Sequence, residues 1–239
     1  MRTVLFVLLL LPIIVSAAGG DVKLDRADID KRDTISIQRG AKIFVNYCLG
    51  CHSASYMRYN RLVDLGLSEQ QIKDNLIFAN AKIGDTMQVA MSGEDGKTWF
   101  GVKPPDLSVV ARSRGADWLY TYMRSFYRDD ARAMGWNNVT FPNVAMPHVL
   151  WKLQGIQRLH AEEADGLGAA HGELVLETPG TKTVEAYDDL VRDLVNYLTY
   201  MGEPAGVKRV QIGIIVLLFL GLMAVPAWLL KREFWKDVH

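Results

Sequence analysis

Two cysteines three positions apart, followed at once by a histidine, are the residues of this chain best placed to do chemistry. Cys48, Cys51 and His52 stand in FVNYCLGCHSAS, residues 44–55, and there is no other cysteine. Two thiols at this spacing serve in a redox disulfide, in half of a zinc site, or in covalent attachment of a haem. Zinc normally needs two such pairs, and a redox motif stands between a strand and a helix. Only haem attachment uses all three residues, because each thiol adds to a vinyl group and the histidine is directed at the iron. We therefore expect one covalently attached haem c with His52 as an axial ligand.

Met146 is the first candidate for the second axial ligand. It lies between two prolines in FPNVAMPHVLW, so the chain around it is extended and stiff. A thioether on such a loop can be held against a flat face with little loss of entropy, and methionine opposite histidine raises the potential of the iron. Met87 or Met91, in a segment with Gly and Asp, comes next and His148 third; the residue patterns leave these alternatives open.

The segment GVKPPDLSVVARSRGADW can complete a haem pocket. Pro104 and Pro105 form a rigid turn, and Arg112 and Arg114 follow. The planar guanidinium group bonds both oxygens of a carboxylate, so these arginines can neutralise haem propionates. The alternative is that both are solvated on the surface.

Helices should position these residues. The residues before the cysteine motif predict a helix that runs straight into it, with Ser36 as its cap. Its apolar side chains fall near one face: Ile37, Ala41, Phe44 and Tyr47. The segment DWLYTYMRSFYRDDARAM, residues 117–134, also has a helical pattern.

A last soluble helix is predicted in TVEAYDDLVRDLVNYLTYMGEP, capped by Thr183 and ended by Gly202 and Pro204. One apolar stripe runs along it, made of Tyr187, Leu190, Val191, Leu194, Leu198 and Met201. A first helix with the haem motif and a last helix with one apolar face indicate an all-α, class I cytochrome c-like domain with long loops. In such a domain the terminal helices cross, and Gly40 would permit their close approach.

Two apolar runs place the chain at a membrane. Residues 1–18 have the layout of a secretory signal peptide, with Arg2, an apolar run and a small-residue exit. The 21 uncharged residues from Val210 to Leu230 are, as a helix, roughly 31 Å long, which matches one bilayer core. We expect an exported domain over 19–205, an anchor over 206–232 and a cytoplasmic tail over 233–239.

The balance of charge excludes one class of partner. Lysine plus arginine and aspartate plus glutamate both number 27, so nothing indicates nucleic-acid binding through a basic surface. Residues 160–193 hold nine acids against Lys182 and Arg192, a net charge of −7. This region, with Glu162 and Glu163, could steer a basic cytochrome c, although most charged runs are simply solvated surface.

Taken together, these stretches resemble the cytochrome c1 family, the haem-bearing subunits of quinol–cytochrome c oxidoreductase (bc1) complexes. The resemblance covers most of the mature chain, in the family's order. It is carried by RGAKIFVNYCLGCHSASYMRYNRL, PPDLSVVARSRG, AMPHVLW and the C-terminal span with its basic flank.

The resemblance implies a role for each site residue. Cys48 and Cys51 carry the haem, His52 is the proximal ligand, and Met146 is the distal ligand. It further implies that Pro105 packs on the haem and that Arg114 or Arg112 meets a propionate. Some bacterial members have an extra disulfide; this chain cannot, so its ligand loop should be held by packing and prolines alone.

The implied function is electron transfer without bond-making catalysis in this subunit. Single electrons would pass from a mobile Rieske iron–sulfur protein to a cytochrome c, with the haem domain in the periplasm beside the cytochrome b subunit and the anchor in the lipid of a bacterial inner membrane. A free-standing membrane-anchored shuttle or a terminal-oxidase subunit would share the haem and the anchor. A haem enzyme such as a peroxidase would need an open iron position.

Overall fold

The computed structural model describes residues 23–78, 80–161 and 172–237; the expected signal peptide lies outside them. In chain order the α-helices are α1 (Thr34–Ile43), α2 (Glu69–Leu76), α3 (Gly93–Phe100), α4 (Val110–Arg114), α5 (Ala116–Arg124), α6 (Trp151–Gln154), α7 (Val184–Gly202) and α8 (Gly206–Phe234). The strands are β1 (Ala54–Arg58), β2 (Thr86–Met87), β3 (Phe126–Arg128), β4 (Trp136–Asn138), β5 (Gly155–Ala161) and β6 (Gly172–Pro179). A 3₁₀ segment, Tyr59–Leu65, follows β1.

The core forms where α1 crosses α7, as the sequence predicts. A Cβ atom on Gly40 would lie 2.0 Å from the backbone oxygen of Asp193, so only glycine allows this approach. Arg39 closes the crossing with hydrogen bonds of 2.5 and 2.8 Å to the Asp193 carboxylate. The helix that carries the cysteine motif is thereby fixed to the longest helix of the soluble domain.

The two ends of α1 differ from the prediction. Asp33, not Ser36, caps the helix, and Ser36 is buried instead. The residues Phe44–Cys48 form a π-helical turn, which holds more residues than an α-turn and shifts the helix face. Tyr47 is therefore exposed, while Cys48 faces the core.

The helix predicted over residues 117–134 is wrong in its second half. Helix α5 ends at Arg124, whose carbonyl oxygen accepts hydrogen bonds from the side-chain amides of Gln154 and Gln157. The chain then forms the antiparallel hairpin β3–β4, with Phe126 opposite Asn138. Polar partners far along the chain thus replace the helical hydrogen bonds.

Strands make the all-α prediction only partly right. About half of the chain is helical, and within the described residues the strands form three two-stranded antiparallel sheets: β1–β2, β3–β4 and β5–β6. These short sheets brace the loops between helices, where the sequence showed no period-2 pattern.

Helix α8 is the candidate membrane span. It is 29 residues long, and its apolar window is not buried against the rest of the chain. Lys208 and Arg209 lie near its start, and Lys231 and Arg232 near its end. These bounds contain the predicted anchor.

Candidate haem site

The cysteine motif leaves α1 in one tight turn. The backbone amides of Cys51 and His52 both donate to the carbonyl oxygen of Cys48, at 3.0 and 2.9 Å. Cys48 is buried and Cys51 is partly exposed. The two thiols and the imidazole therefore belong to a single turn of chain.

The environment of this turn disfavours the redox and zinc hypotheses. Burial, and then the neighbouring Cys51, raises the pKa of Cys48 to about 12, whereas a redox-active cysteine has a lowered pKa. The part of the chain that the structure describes also holds no group of three or more His, Cys, Asp or Glu side chains arranged for a metal ion. Covalent attachment is the chemistry that still uses all three residues.

His52 is oriented by the backbone of Pro105. Its Nδ1 atom lies 2.7 Å from the Pro105 carbonyl oxygen, which can only accept, so Nδ1 carries the proton and Nε2 is left with a free lone pair. Burial lowers the pKa of His52, with the Pro105 carbonyl as a partial offset, and this favours the neutral form. A neutral imidazole fixed through one nitrogen is the usual form of a metal-ligating histidine.

The residues after Pro105 hold that carbonyl in place. The Asp106 carboxylate accepts from the backbone amide and the hydroxyl of Ser55, at 2.8 and 2.7 Å, and the Ser108 hydroxyl accepts from the amide of Tyr56. Burial opposes the charge on Asp106, but hydrogen bonds from Ser108 and Ser55 outweigh it, and the pKa of Asp106 lies below its ordinary value. We call residues 52–58, 86–89 and 105–108 together the proximal wall.

Met146 lies on a loop that faces helix α5. We call residues 139–150 the Met146 loop. The Met146 sulfur atom accepts a hydrogen bond of 3.4 Å from the Tyr122 hydroxyl, and the Met146 side chain is half-buried. The sulfur is thus positioned from one side by a side chain that the sequence analysis did not select.

The expectation that packing and prolines alone hold this loop is wrong. The Asn138 side-chain oxygen accepts from the amides of Thr140 and Phe141, at 2.9 and 3.0 Å, and the Asn137 oxygen accepts from the amide of Asn143 at 2.8 Å. Two adjacent, buried asparagines therefore bind the start of the loop.

Arg132 also holds the Met146 loop. Its two terminal nitrogens donate to the Oδ1 atom and to the carbonyl oxygen of Asn143, both at 3.0 Å. Asn143 has a φ of 63°, a left-handed conformation that asparagine tolerates better than most residues. Side-chain hydrogen bonds thus hold the first part of the Met146 loop.

The alternative methionines belong to other parts of the molecule. Met87 is fully buried in β2, opposite Ala54, and its sulfur accepts from the Tyr197 hydroxyl of α7 at 3.3 Å. Because Ala54 is two residues after His52, Met87 is part of the proximal wall. Met91 lies beside Gly96 of α3.

His148 is buried on the Met146 loop. Its ring stacks on Phe126, with centroids 4.8 Å apart and planes at 4°, and meets Trp136 edge-on. Burial lowers the pKa of His148 to about 4, partly offset by Gln154, so the ring is neutral. Both ring nitrogens are buried and form no hydrogen bond of normal geometry with a described residue, so His148 stays the third candidate ligand.

Arg112 and Arg114 are both exposed. The Arg114 guanidinium lies 5.0 Å from the ring centre of Trp118, and the stem of Arg112 lies along Gly202. Neither forms an ion pair with any other described residue. Pro105 is exposed as well, so its side chain is open to contact beyond this chain.

Comparison with known proteins places the chain in a family. The model of the cytochrome c1 family matches residues 26–97 and 80–238. A cytochrome c1 of Allochromatium vinosum is 52% identical over 236 residues, covering 97% of this chain and 96% of that protein. The chain belongs to the cytochrome c1 family.

Two further matches differ in what they contribute. A protein of Nitrosomonas europaea named ammonia monooxygenase gamma subunit is 51% identical over 238 residues, covering 100% of this chain and 98% of the relative. A chain of a hyperthermophilic respiratory complex III is 17% identical with a TM-score of 0.46, covering 100% of this chain and 94% of the other. The family assignment rests on the sequence comparisons.

Membership of the cytochrome c1 family implies a c-type haem, and the geometry fits one. His52 has a lone pair on Nε2, the Met146 sulfur is half-buried, and two arginines have no carboxylate partner within the described residues. Imidazole and thioether are donors that haem iron accepts, and a guanidinium group can pair with a propionate.

The sequence analysis missed the residues that act through their neighbours: Tyr122, Arg132, Asn137 and Asn138. One signal was present, because a pair of asparagines between Trp136 and Val139 is unexpected in an apolar stretch. No local signal connected Tyr122 with a methionine 24 residues away.

The acidic region is partly neutralised within the chain. Of the six acids that the structure describes here, four form ion pairs: Glu177 with Arg158, Asp188 with Arg124, Asp189 with Arg192 and Asp193 with Arg39. Glu162, Glu163 and Asp165 lie outside the described residues. Steering of a basic cytochrome c by this region stays a prediction, and the internal pairs leave less free charge for it.

Proposed function

We propose that this protein is the haem-carrying, electron-transferring subunit of a quinol–cytochrome c reductase complex. It would take single electrons from a Rieske iron–sulfur protein and pass them to a cytochrome c, beside a cytochrome b subunit. The body, residues 19–205, would face the periplasm of a bacterium, with α8 in the inner membrane and the tail in the cytoplasm.

One observation carries the proposal: the PPDLS segment is joined to the cysteine motif in space. Pro105 orients His52, while Asp106 and Ser108 bind the residues just after it. A Cys-x-x-Cys-His sequence alone marks any c-type haem. In this chain the motif is also bonded to a segment 53 residues downstream, which favours a cytochrome c1 over other c-type cytochromes.

Different residues of the chain would hold different parts of the haem. When bound, a c-type haem supplies a one-electron iron couple. Cys48 and Cys51 would attach it covalently, His52 and Met146 would occupy the two axial positions, and Arg112 or Arg114 would pair with a propionate. Two strong axial ligands would close the iron to substrates, so these residues favour electron transfer over a peroxidase-like reaction.

The proposal is tested by extracting the protein from its own membrane. A C-terminal tag and a mild detergent would be used, followed by reduced-minus-oxidised spectra and mass spectrometry of what co-purifies. A c-type band accompanied by b-type haem and a Rieske protein is expected. A c-type band alone under the gentlest extraction would favour the free-standing shuttle instead.

The Nitrosomonas relative supports a second candidate. Its name, ammonia monooxygenase gamma subunit, and its 51% identity suggest a subunit that serves a monooxygenase. Monooxygenase subunits in the purified material, with no b-type haem, would support this candidate and contradict the first.

A further inference from the structure

One face of α5 and its flanks carries a column of stacked side chains. Trp118 and Tyr122 lie one turn apart on α5, with Arg114 just before the helix and Phe126 just after it. The Arg114 guanidinium lies over the Trp118 ring. The Trp118 and Tyr122 rings stack with centroids 4.9 Å apart and planes at 10°. Phe126 then meets Tyr122 edge-on at 5.0 Å.

The Met146 loop runs alongside this column. Three loop side chains contact three members of the column in the same order: Phe141 on Trp118, Met146 on Tyr122 and His148 on Phe126. Two of these contacts are aromatic packing. The central one is a hydrogen bond to sulfur, so it can affect the electrons of the thioether as well as its place.

A thioether sulfur has two lone pairs. The Tyr122 hydroxyl, 3.4 Å from Sδ, uses one of them and thereby leaves the other to point elsewhere. The ring of Tyr122 cannot swing away from this position, because Trp118 stacks on it and Phe126 meets its edge.

We propose that Tyr122 positions the Met146 thioether and tunes its electron donation through this hydrogen bond. The inference rests on the proposed function, in which Met146 occupies the distal position of the haem. A proton held at the sulfur draws electron density from it, which weakens its donation to ferric iron more than to ferrous iron. The hydroxyl therefore raises the reduction potential.

The molecule contains its own control. The Tyr197 hydroxyl donates to the Met87 sulfur at 3.3 Å, in the fully buried core. Tyr122→Phe and Tyr197→Phe each remove one oxygen atom and one hydrogen bond to a methionine. They differ in which sulfur loses its donor.

The experiment compares these two variants with the wild type as intact, haem-loaded proteins. Redox titration and the thioether-to-iron charge-transfer band of the oxidised form are the readouts, with urea midpoints recorded in parallel. Tyr122→Phe should shift the reduction equilibrium about threefold toward the oxidised form. At 59 mV per tenfold this lowers the reduction potential by about 28 mV. The charge-transfer band should move as well. Tyr197→Phe should change neither, while both variants lower the urea midpoint.

Each contrary outcome has its own meaning. An unchanged potential and band in Tyr122→Phe, or equal shifts in both variants, would overturn the role of Tyr122. The proposed function would survive that result as long as Met146→Leu abolishes the band. A wild-type protein without a thioether band, or a Met146→Leu variant that retains it, would instead refute Met146 as ligand and the inference with it.

Discussion

The proximal wall and the Met146 loop each contain a methionine whose sulfur accepts a hydrogen bond from a tyrosine. In the proximal wall, Met87 is fully buried and its strand pairs with the residues just after His52. In the Met146 loop, the sulfur is half-buried and its backbone lies between two prolines. The local chemistry is the same in the two places, yet only the second sulfur has a side that the protein does not enclose.

The two regions are also held by different kinds of bond. Backbone groups carry much of the proximal wall: the Pro105 carbonyl accepts from His52, and the amide of Leu107 donates to the carbonyl of Ser53. The Met146 loop depends on the side chains of Asn137, Asn138 and Arg132. A single substitution can therefore loosen the loop, whereas in the wall the backbone bond between Leu107 and Ser53 remains when Asp106 or Ser108 loses its side chain.

The largest expected difference comes from replacing each methionine by leucine. Met→Leu nearly conserves volume and removes only the sulfur, so either change should cost at most about 1.5 kcal/mol of packing. Met146→Leu should abolish the thioether charge-transfer band and let the reduced protein bind carbon monoxide. Met87→Leu should keep the band and resist carbon monoxide. The reverse pattern would assign the distal position to Met87.

A smaller contrast is expected between two buried asparagines. Asn138→Ala leaves the amides of Thr140 and Phe141 without their acceptor and should cost roughly 2–3 kcal/mol. Asn196→Ala, near the α1–α7 crossing, removes hydrogen bonds to the Asp30 carbonyl and to Ser36 and should cost a similar amount.

Only one of these variants should affect the iron. Because Asn138 holds the Met146 loop, Asn138→Ala should speed carbon monoxide binding and broaden the charge-transfer band. Asn196→Ala should lower the denaturation midpoint alone. Equal carbon monoxide rates in the two variants would mean that the asparagines do not position Met146.

The same contrast explains what could be predicted from sequence. The proposed covalent attachment of a haem would need Cys48, Cys51 and His52 close together in the chain, so the motif is visible in a short window. The crossing at Gly40 was predictable because each of the two helices shows its own apolar face in a short window, and a glycine lets two helices approach closely. Met146 could be ranked first because the prolines beside it stiffen the loop.

Hydrogen bonds between distant residues leave no such pattern. Helix α5 ends at Arg124 because the side-chain amides of Gln154 and Gln157 donate to the Arg124 carbonyl oxygen. No residue near position 124 indicates this. The cap of α1 was assigned to Ser36, although Asp33 was equally suited and lies where the helix begins. The residues that position Met146 were missed because they act through hydrogen bonds between residues far apart in the chain.

The smallest expected effect concerns the proximal wall and appears only in acid. Hydrogen bonds from Ser108 and Ser55 hold the pKa of Asp106 below its ordinary value of 3.8 in the folded protein. Asp106 therefore contributes stability that is fully present above pH 3.8 and is lost as the pH falls through the lowered folded pKa. Asp106→Asn keeps the shape and removes the titration, so the urea midpoint of the wild type should fall more steeply with acidification than that of the variant.

Asp130 provides the matched control for this titration. Its pKa is likewise lowered, by hydrogen bonds from Arg128 and Arg158, but it is exposed in the turn between β3 and β4, and both of these partners lie outside the proximal wall. Asp130→Asn should flatten the same acid profile without changing the spectrum, whereas Asp106→Asn should also perturb the iron spectrum, since the Pro105 carbonyl that orients His52 is its neighbour. Identical spectra for the two variants would show that Asp106 stabilises the fold but does not hold the proximal ligand.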